Sequence, residues 1–183
     1  MSKIIAFMAD GMEEVECLAV VDILRRASLD VLLVSISGSL EVKGSHNITV
    51  KADALFEQVD YSEADVLFLP GGGPGTEKLK NHKELQELLM KFNQKGKRLA
   101  AICAAPSVLG GLGILDGVEA TAHPTFMDKL GGAIYTKKGV VTDGVISTGR
   151  GLGYALDLGL ELVSLLVSAE KSEEIKVAIQ YDK

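Results

Sequence analysis

The sequence predicts one α/β domain, residues 1–183, folded around a mostly parallel sheet, and three observations carry that reading. Short continuous apolar runs recur at 4–8, 31–36, 65–69 and 99–102, as expected of strands buried on both faces. Segments of helical length with apolar residues at helical spacing lie between them, so the strand–helix–strand units imply right-handed crossovers and parallel pairing. The third observation is that 183 residues with 47% hydrophobic side chains and 20 glycines suit one compact core.

In chain order, residues 4–8 form the first strand, bounded by Asp10-Gly11. A helix follows over 13–27, with Val15, Leu18, Ala19 and Ile23 on one face and Glu13, Glu14 and Glu16 in the first turn, where the dipole favours acids. Asp22 interrupts that apolar face, which points to a contact other than core. Residues 31–36 complete the β-α-β unit, and 40–42 with 48–50 flank Lys43-Gly44-Ser45-His46-Asn47 as a small hairpin. The strand at 65–69 opens into Pro70-Gly71-Gly72-Gly73-Pro74-Gly75, a loop that presents bare backbone N–H groups. Asn81 and Glu84 are spaced as a capping box for a helix bearing Leu85, Leu88, Leu89 and Phe92, closed by Gly96.

The strand at 99–102 runs straight into Cys103, and Pro106 opens a helix reaching 112. A short strand at 118–121 places His123 at a strand end. Val140-Val141 and 145–147 flank Thr142-Asp143-Gly144 as a hairpin. Residues 152–168 read as a largely buried helix whose narrow polar edge is Asp157, Glu161 and Ser164, and the charged tail from 170 holds one more short helix.

A net charge of −6, with no basic run longer than Lys137-Lys138, argues against stable nucleic-acid binding. Cys17 and Cys103 are far apart, without CxxC or Cys/His spacing, so no metal site and no disulfide framework is expected. The apolar run at the N-terminus is too short for a signal peptide or a membrane span, so the expectation is a cytoplasmic protein with no membrane partner.

Function is concentrated at Cys103. Ala101, Ala104 and Ala105 leave the room that a tight strand-to-helix corner needs, as in the G-x-S-x-G elbow of serine hydrolases, and the following helix N-terminus is expected to lower the thiol pKa. Taken alone, the stretch reads equally as an inert buried cysteine. The carboxyl ends of parallel strands also collect Glu16, the Gly71-Gly72-Gly73 loop and His123. A thiolate there attacks a carbonyl, the N–H groups of Gly72 and Ala104 receive the oxyanion, and Glu16 or His123 moves the proton.

Five ordered motifs carry a resemblance over nearly the whole chain: Gly11-Met12-Glu13-Glu14-Val15-Glu16, Leu69-Pro70-Gly71-Gly72, Ala100 to Pro106, Thr121-Ala122-His123-Pro124 and Thr148-Gly149-Arg150-Gly151. With these the chain resembles the ThiJ/PfpI superfamily, in its branch of YajL and the Parkinson's-associated deglycases. The resemblance implies a flavodoxin-like three-layer sandwich, helices on both sheet faces, similar to class I glutamine amidotransferases, and a homodimer built around the first helix. It also implies that Cys103 is the reactive, oxidation-prone cysteine, Glu16 its proton-carrying partner, Gly72 and Ala104 the backbone donors, and His123 the nearby histidine. Asp22 matches a position that approaches that histidine from the other subunit, and Arg25 and Arg26 match a basic pair close to the dimer contact. Ala104 stands where protease-like members carry histidine, and Glu16 where the isocyanide-hydrating branch has aspartate. His46 replaces an interface arginine, and Gly73 a common asparagine.

The function expected from the resemblance is a cysteine-dependent deglycase or glutathione-independent glyoxalase, without cofactor or metal, acting on methylglyoxal, glyoxal and their early protein or nucleotide adducts. The alternative is a redox-sensing stress-response chaperone that works through oxidation of Cys103. A weaker alternative is an amidotransferase- or peptidase-like hydrolase.

Overall fold

The computed structural model describes residues 2–182. The elements are, in order, β1 (Lys3–Met8), α1 (Glu14–Arg26), β2 (Asp30–Ser35), β3 (Glu41–Lys43), β4 (Thr49–Lys51), β5 (Ala54–Leu55), β6 (Val66–Leu69), α2 (Gly73–Asn81) and α3 (Lys83–Gln94). They continue with β7 (Arg98–Ile102), α4 (Pro106–Gly111), β8 (Glu119–Ala120), β9 (Ile134–Tyr135), β10 (Val140–Asp143), β11 (Ile146–Gly149), α5 (Ala155–Leu166) and α6 (Ala169–Ala178).

The main sheet has seven strands in the order β10-β11-β7-β6-β1-β2-β5, parallel except for the β10–β11 hairpin. Alternation along its central strands explains the layers. Ile4, Ala6, Met8, Val66, Phe68, Ala100 and Ile102 pack with α1 and α5 on one face. Ile5, Phe7, Leu67, Leu69, Leu99 and Ala101 pack with Leu79, Leu85, Leu89, Val108 and Leu109 of α2, α3 and α4 on the other. Successive side chains point to opposite faces of a strand, so a continuous apolar run serves two cores at once. The result is a three-layer α/β sandwich. Among the described residues, no helix is long and apolar enough to cross a membrane.

Several expectations are corrected. Residues 73–81 form a helix, α2, although the glycines and Pro74 read as loop; Pro74 stands in its first turn, where a missing N–H costs nothing. The cap of α3 is therefore His82, whose ring nitrogen accepts from the Leu85 N–H at 3.2 Å, and not Asn81. The apolar stripe of α1 agrees with what Asp22 on it indicated: part of it lies outside the core, with Val15 and Leu18 49% and 39% exposed, while Cys17, Val20, Val21, Ile23 and Leu24 are buried. Residues 118–121 do not join the main sheet. β8 pairs instead with β9 in a separate parallel ribbon, and β11 occupies the place beside β7. The final long helix begins at Ala155 after a short 3-10 turn (Leu152–Tyr154), with Leu152 and Leu165 partly exposed.

Candidate active site

The chain leaves β1 for β2 on one side and later returns to place β6 on the other, so the crevice at the carboxyl ends of β1 and β6 is the topological switch point of the sheet. The loops there are pressed together. Glu13 N–H donates to Gly71 O at 2.9 Å, and a Cβ on Gly72 would lie 2.5 Å from both Gly11 O and Glu13 N. Gly72 also has φ of +90°, so glycine is required by shape and by backbone conformation alike.

Cys103 follows β7 with φ of +64°, in the left-handed region that a side chain adopts only at a cost of about 1–3 kcal/mol. Its peptide groups are clamped from two sides: its N–H donates to Gly149 O at 2.9 Å, and its C=O accepts from the His123 N–H at 2.9 Å. Ala101, Ala104 and Ala105 around it are buried, and Ser107 Oγ donates to Ala104 O at 2.7 Å to hold the first turn of α4. The sharp corner and its small flanks match the expected elbow.

Glu16 is 1% exposed in the first turn of α1. The Gly71 N–H donates to its Oε2 at 3.1 Å, the Leu152 N–H reaches the same carboxyl, and its side chain is hydrogen-bonded to that of Cys103. Burial and the neighbouring Glu13 charge push Glu16 up to about 7, against the bonds from Cys103, Gly71 and Leu152. The expectation that the helix N-terminus lowers the Cys103 pKa is corrected. Burial, the charge of Glu16 and the bond to it push the thiol up, outweighing the N–H groups of Gly72 and Ala104 that point at the sulfur. Protonation of Glu16 would remove the charge that opposes a thiolate at Cys103.

Cys103 and Glu16 open into a cavity of about 510 Å³ lined also by His123, Pro124, Arg150, Leu152 and Tyr154. His123 is therefore near the cysteine, although the strand before it belongs to the smaller ribbon. Its Nδ1 bonds Thr125 Oγ1 at 2.8 Å and not the Cys103 sulfur. The sequence reading places Gly71 at the site only as part of its glycine loop and Arg150 only as part of a family motif, and it gives Leu152 no role there. The signal for Arg150 was its place directly after a strand that turns out to neighbour β7.

Asp22, Arg25 and Arg26 stand apart from the cavity within one chain: Asp22 pairs with Arg26 at 2.6 Å, and Arg25 with Asp53 at 3.0 Å. Cys17 is fully buried and its thiol is pushed up to about 12 by burial and by Glu13 and Glu16, which suits packing. Among the described residues one group, Glu13, Glu14 and His46, brings possible metal-ligand atoms within 4.8 Å of one another. Its donors are already engaged: Glu14 accepts from the His46 N–H at 2.7 Å and bonds the His46 ring at 3.1 Å, while Glu13 caps the Glu16 N–H at 2.7 Å. The group ties the β3–β4 turn to α1.

A family model described as the DJ-1/PfpI family matches residues 2–165. Protein DJ-1 homolog B of Arabidopsis thaliana is 38% identical over 175 residues, which cover 94% of this chain and 40% of that protein. The chain thus spans about two fifths of the length of that relative. The Caenorhabditis elegans protein named glutathione-independent glyoxalase DJR-1.2 is 32% identical over 95% of this chain and 93% of its own length. The solved structure of oxidized Toxoplasma gondii DJ-1 superposes with a TM-score of 0.96 at 32% identity, covering both chains in full.

Proposed function

The chain belongs to the DJ-1/PfpI family, and from that premise we propose that it is a cysteine-dependent enzyme of reactive dicarbonyls, converting methylglyoxal, glyoxal and their early protein or nucleotide adducts. The observation that supports this most is the hydrogen-bonded pair of Cys103 and buried Glu16, with the Gly72 and Ala104 amides aimed at the sulfur. The relative named a glutathione-independent glyoxalase supports the same chemistry.

The reaction is written for methylglyoxal. Cys103 Sγ forms a bond to the aldehyde carbon while its proton passes to Glu16, and the carbonyl oxygen, now negative, lies beside the Gly72 and Ala104 N–H groups. Glu16 returns that proton to the oxygen, giving a hemithioacetal. As a carboxylate again, it takes the proton from the former aldehyde carbon and delivers it to the neighbouring carbonyl carbon through an enediol, while the hydroxyl proton on the sulfur-bearing carbon passes to the neighbouring oxygen. The carbon on sulfur thereby becomes a thioester carbonyl and its neighbour a hydroxyl-bearing carbon. Water breaks the C–S bond, releasing lactate and restoring the thiol, so that methylglyoxal and water are converted to lactate without net oxidation. A carboxyl titrating at about 7 serves both as base and as acid near neutral pH.

The test is to quench the protein during turnover of methylglyoxal and map the adduct by peptide mass spectrometry. An adduct of one methylglyoxal unit on the Cys103 peptide is expected, absent from Cys103→Ser and accumulating as the hemithioacetal in Glu16→Gln. Full turnover by Cys103→Ser would overturn the reading.

A second reading, redox sensing, draws on the same donors. Oxidation of Cys103 to a sulfinate would place its oxygens against the Gly72 and Ala104 amides and the Glu16 carboxyl. Stable, selective dioxidation by mild peroxide in a protein without dicarbonyl turnover would favour it. The family reading also includes a homodimer across the outer face of α1, where Val15 and Leu18 are partly exposed.

A further inference from the structure

A second cavity, of about 400 Å³, opens at the carboxyl edge of the sheet and shares no lining residue with the Cys103 cavity. Asp10 enters it from the end of β1, Ile36 and Ser37 from the end of β2, and Lys78, Asn81 and His82 from the junction of α2 and α3. The helices α2 and α3 pack on the sheet face opposite α1, so a homodimer across the outer face of α1 leaves this cavity open.

Its polar groups are held in place by the backbone. The Lys43 N–H donates to Asp10 Oδ1 at 2.9 Å, which leaves Oδ2 beside Lys78. The Asp10 N–H donates to Ser37 Oγ at 3.2 Å, and the Ser37 N–H donates to Ser35 Oγ at 3.1 Å. Ser37 Oγ thus accepts, and its own proton meets no acceptor among the described residues. The His82 ring is pinned by the Leu85 N–H at 3.2 Å and by the Phe56 ring, with centroids 4.5 Å apart.

The charges decide what fits. Lys78 Nζ and Asp10 Oδ2 lie 3.6 Å apart, beyond hydrogen-bond distance, on side chains that are 53% and 40% exposed. Such a pair is worth little in water, so exchanging it for a ligand costs little. A phosphate or a simple carboxylate would be attracted by Lys78 and opposed by Asp10. A metal ion or an amine would meet the reverse. A molecule with both charges close together satisfies both side chains at once.

From this geometry we infer that the cavity is a binding site for a small zwitterion of the α-amino acid class, with its ammonium on Asp10 and its carboxylate on Lys78 and the Ser37 hydroxyl. The volume leaves room for the amino acid's side chain beside Ile36 and His82. The site does not depend on the chemistry proposed at Cys103.

The test follows the backbone amides of the nitrogen-15-labelled chain by NMR as L-alanine, lactate or ethylamine is added. Alanine carries both charges and each of the other two carries one. Saturable shifts are expected at the amides of Asp10, Ser37, Lys78 and His82, with a dissociation constant for alanine at least roughly tenfold below those of lactate and ethylamine. In Asp10→Asn and in Lys78→Gln, checked for an otherwise unchanged amide spectrum, that preference is expected to disappear. Equal binding of lactate or ethylamine overturns the inference, as does a preference unchanged in both variants. Shifts at Cys103 and His123 in place of these residues, or no saturable shift, also overturn it. Cys103→Ser is expected to bind alanine as wild type does, so failure of the dicarbonyl chemistry and failure of this site are separate results.

Discussion

At the scale of the residue, the site is a matter of what is absent beside Glu16. A Cβ on Gly71 would collide with Glu16 Oε2 and lie 2.6 Å from the Cys103 Cβ, so Gly71→Ala is expected to separate the pair and lower kcat by at least tenfold. Circular dichroism would check that the variant is folded; a folded variant with full kcat would contradict the geometry. Glu16 also costs stability. Its folded pKa of about 7 lies above the ordinary 4.5, so the folded state holds the proton more tightly. That stabilising preference is complete below pH 4.5 and is lost as the pH rises to 7. Glu16→Gln does not titrate, so its unfolding free energy should gain on wild type across that window, by about 3 kcal/mol above it. Denaturant melts at pH 4 and pH 8 measure the difference, and a gap that does not grow with pH would count against a raised Glu16. Cys103 stood out in the sequence because an elbow flanked by alanines has a local signature, whereas Glu16 was set apart from the other first-turn acids by the family resemblance. The direction of the thiol shift was not, because it depends on a carboxylate 87 positions away in the chain being brought against the sulfur.

At the scale of the element, α1 is fastened at its start by an acid with a different task. Glu14 is buried and accepts from the N–H groups of His46 and Ile48 at 2.7 and 3.4 Å, holding the β3–β4 turn against the helix. Burial alone would raise its pKa, but the hydrogen bonds from the backbone and from the His46 ring win and hold it at about 2. Its contribution is therefore present above pH 4.5 and lost as the pH falls to 2. Glu14→Gln is expected to cost about 3 kcal/mol at pH 7, and the penalty should shrink in urea melts taken through that acid window. A penalty that stays constant would mean that packing, not charge, matters at Glu14. From sequence, Glu14 was one of three acids in a first turn, and nothing local distinguished it from Glu16, since only the distant hairpin assigns their separate roles. The same limit hid α2: its glycines and Pro74 carry loop signatures, and the helix is decided by packing of Leu79 into the core beneath it.

At the scale of the whole molecule, the parallel strands were legible because each is a short run apolar on both faces, whereas the order of the sheet's far end was not. The expected strand before His123 is only two residues long, and β11 takes the place beside β7 through pairings distant in sequence. The exposed Val15 and Leu18 stripe belongs to this scale too. For the proposed homodimer across α1, Leu18→Glu is expected to halve the mass seen by light scattering while leaving the melting temperature within a few degrees, since the side chain is outside the core. Unchanged mass would remove α1 as the contact. The claim at the centre of the account is that one cysteine and one buried carboxyl carry out dicarbonyl chemistry without an added thiol, and proton NMR of methylglyoxal incubated with the protein in amine-free, glutathione-free buffer tests it most directly. The account requires lactate from wild type and none above background from Cys103→Ser or Glu16→Gln at equal concentration. Lactate from either variant at the wild-type rate, or none from wild type, would contradict it.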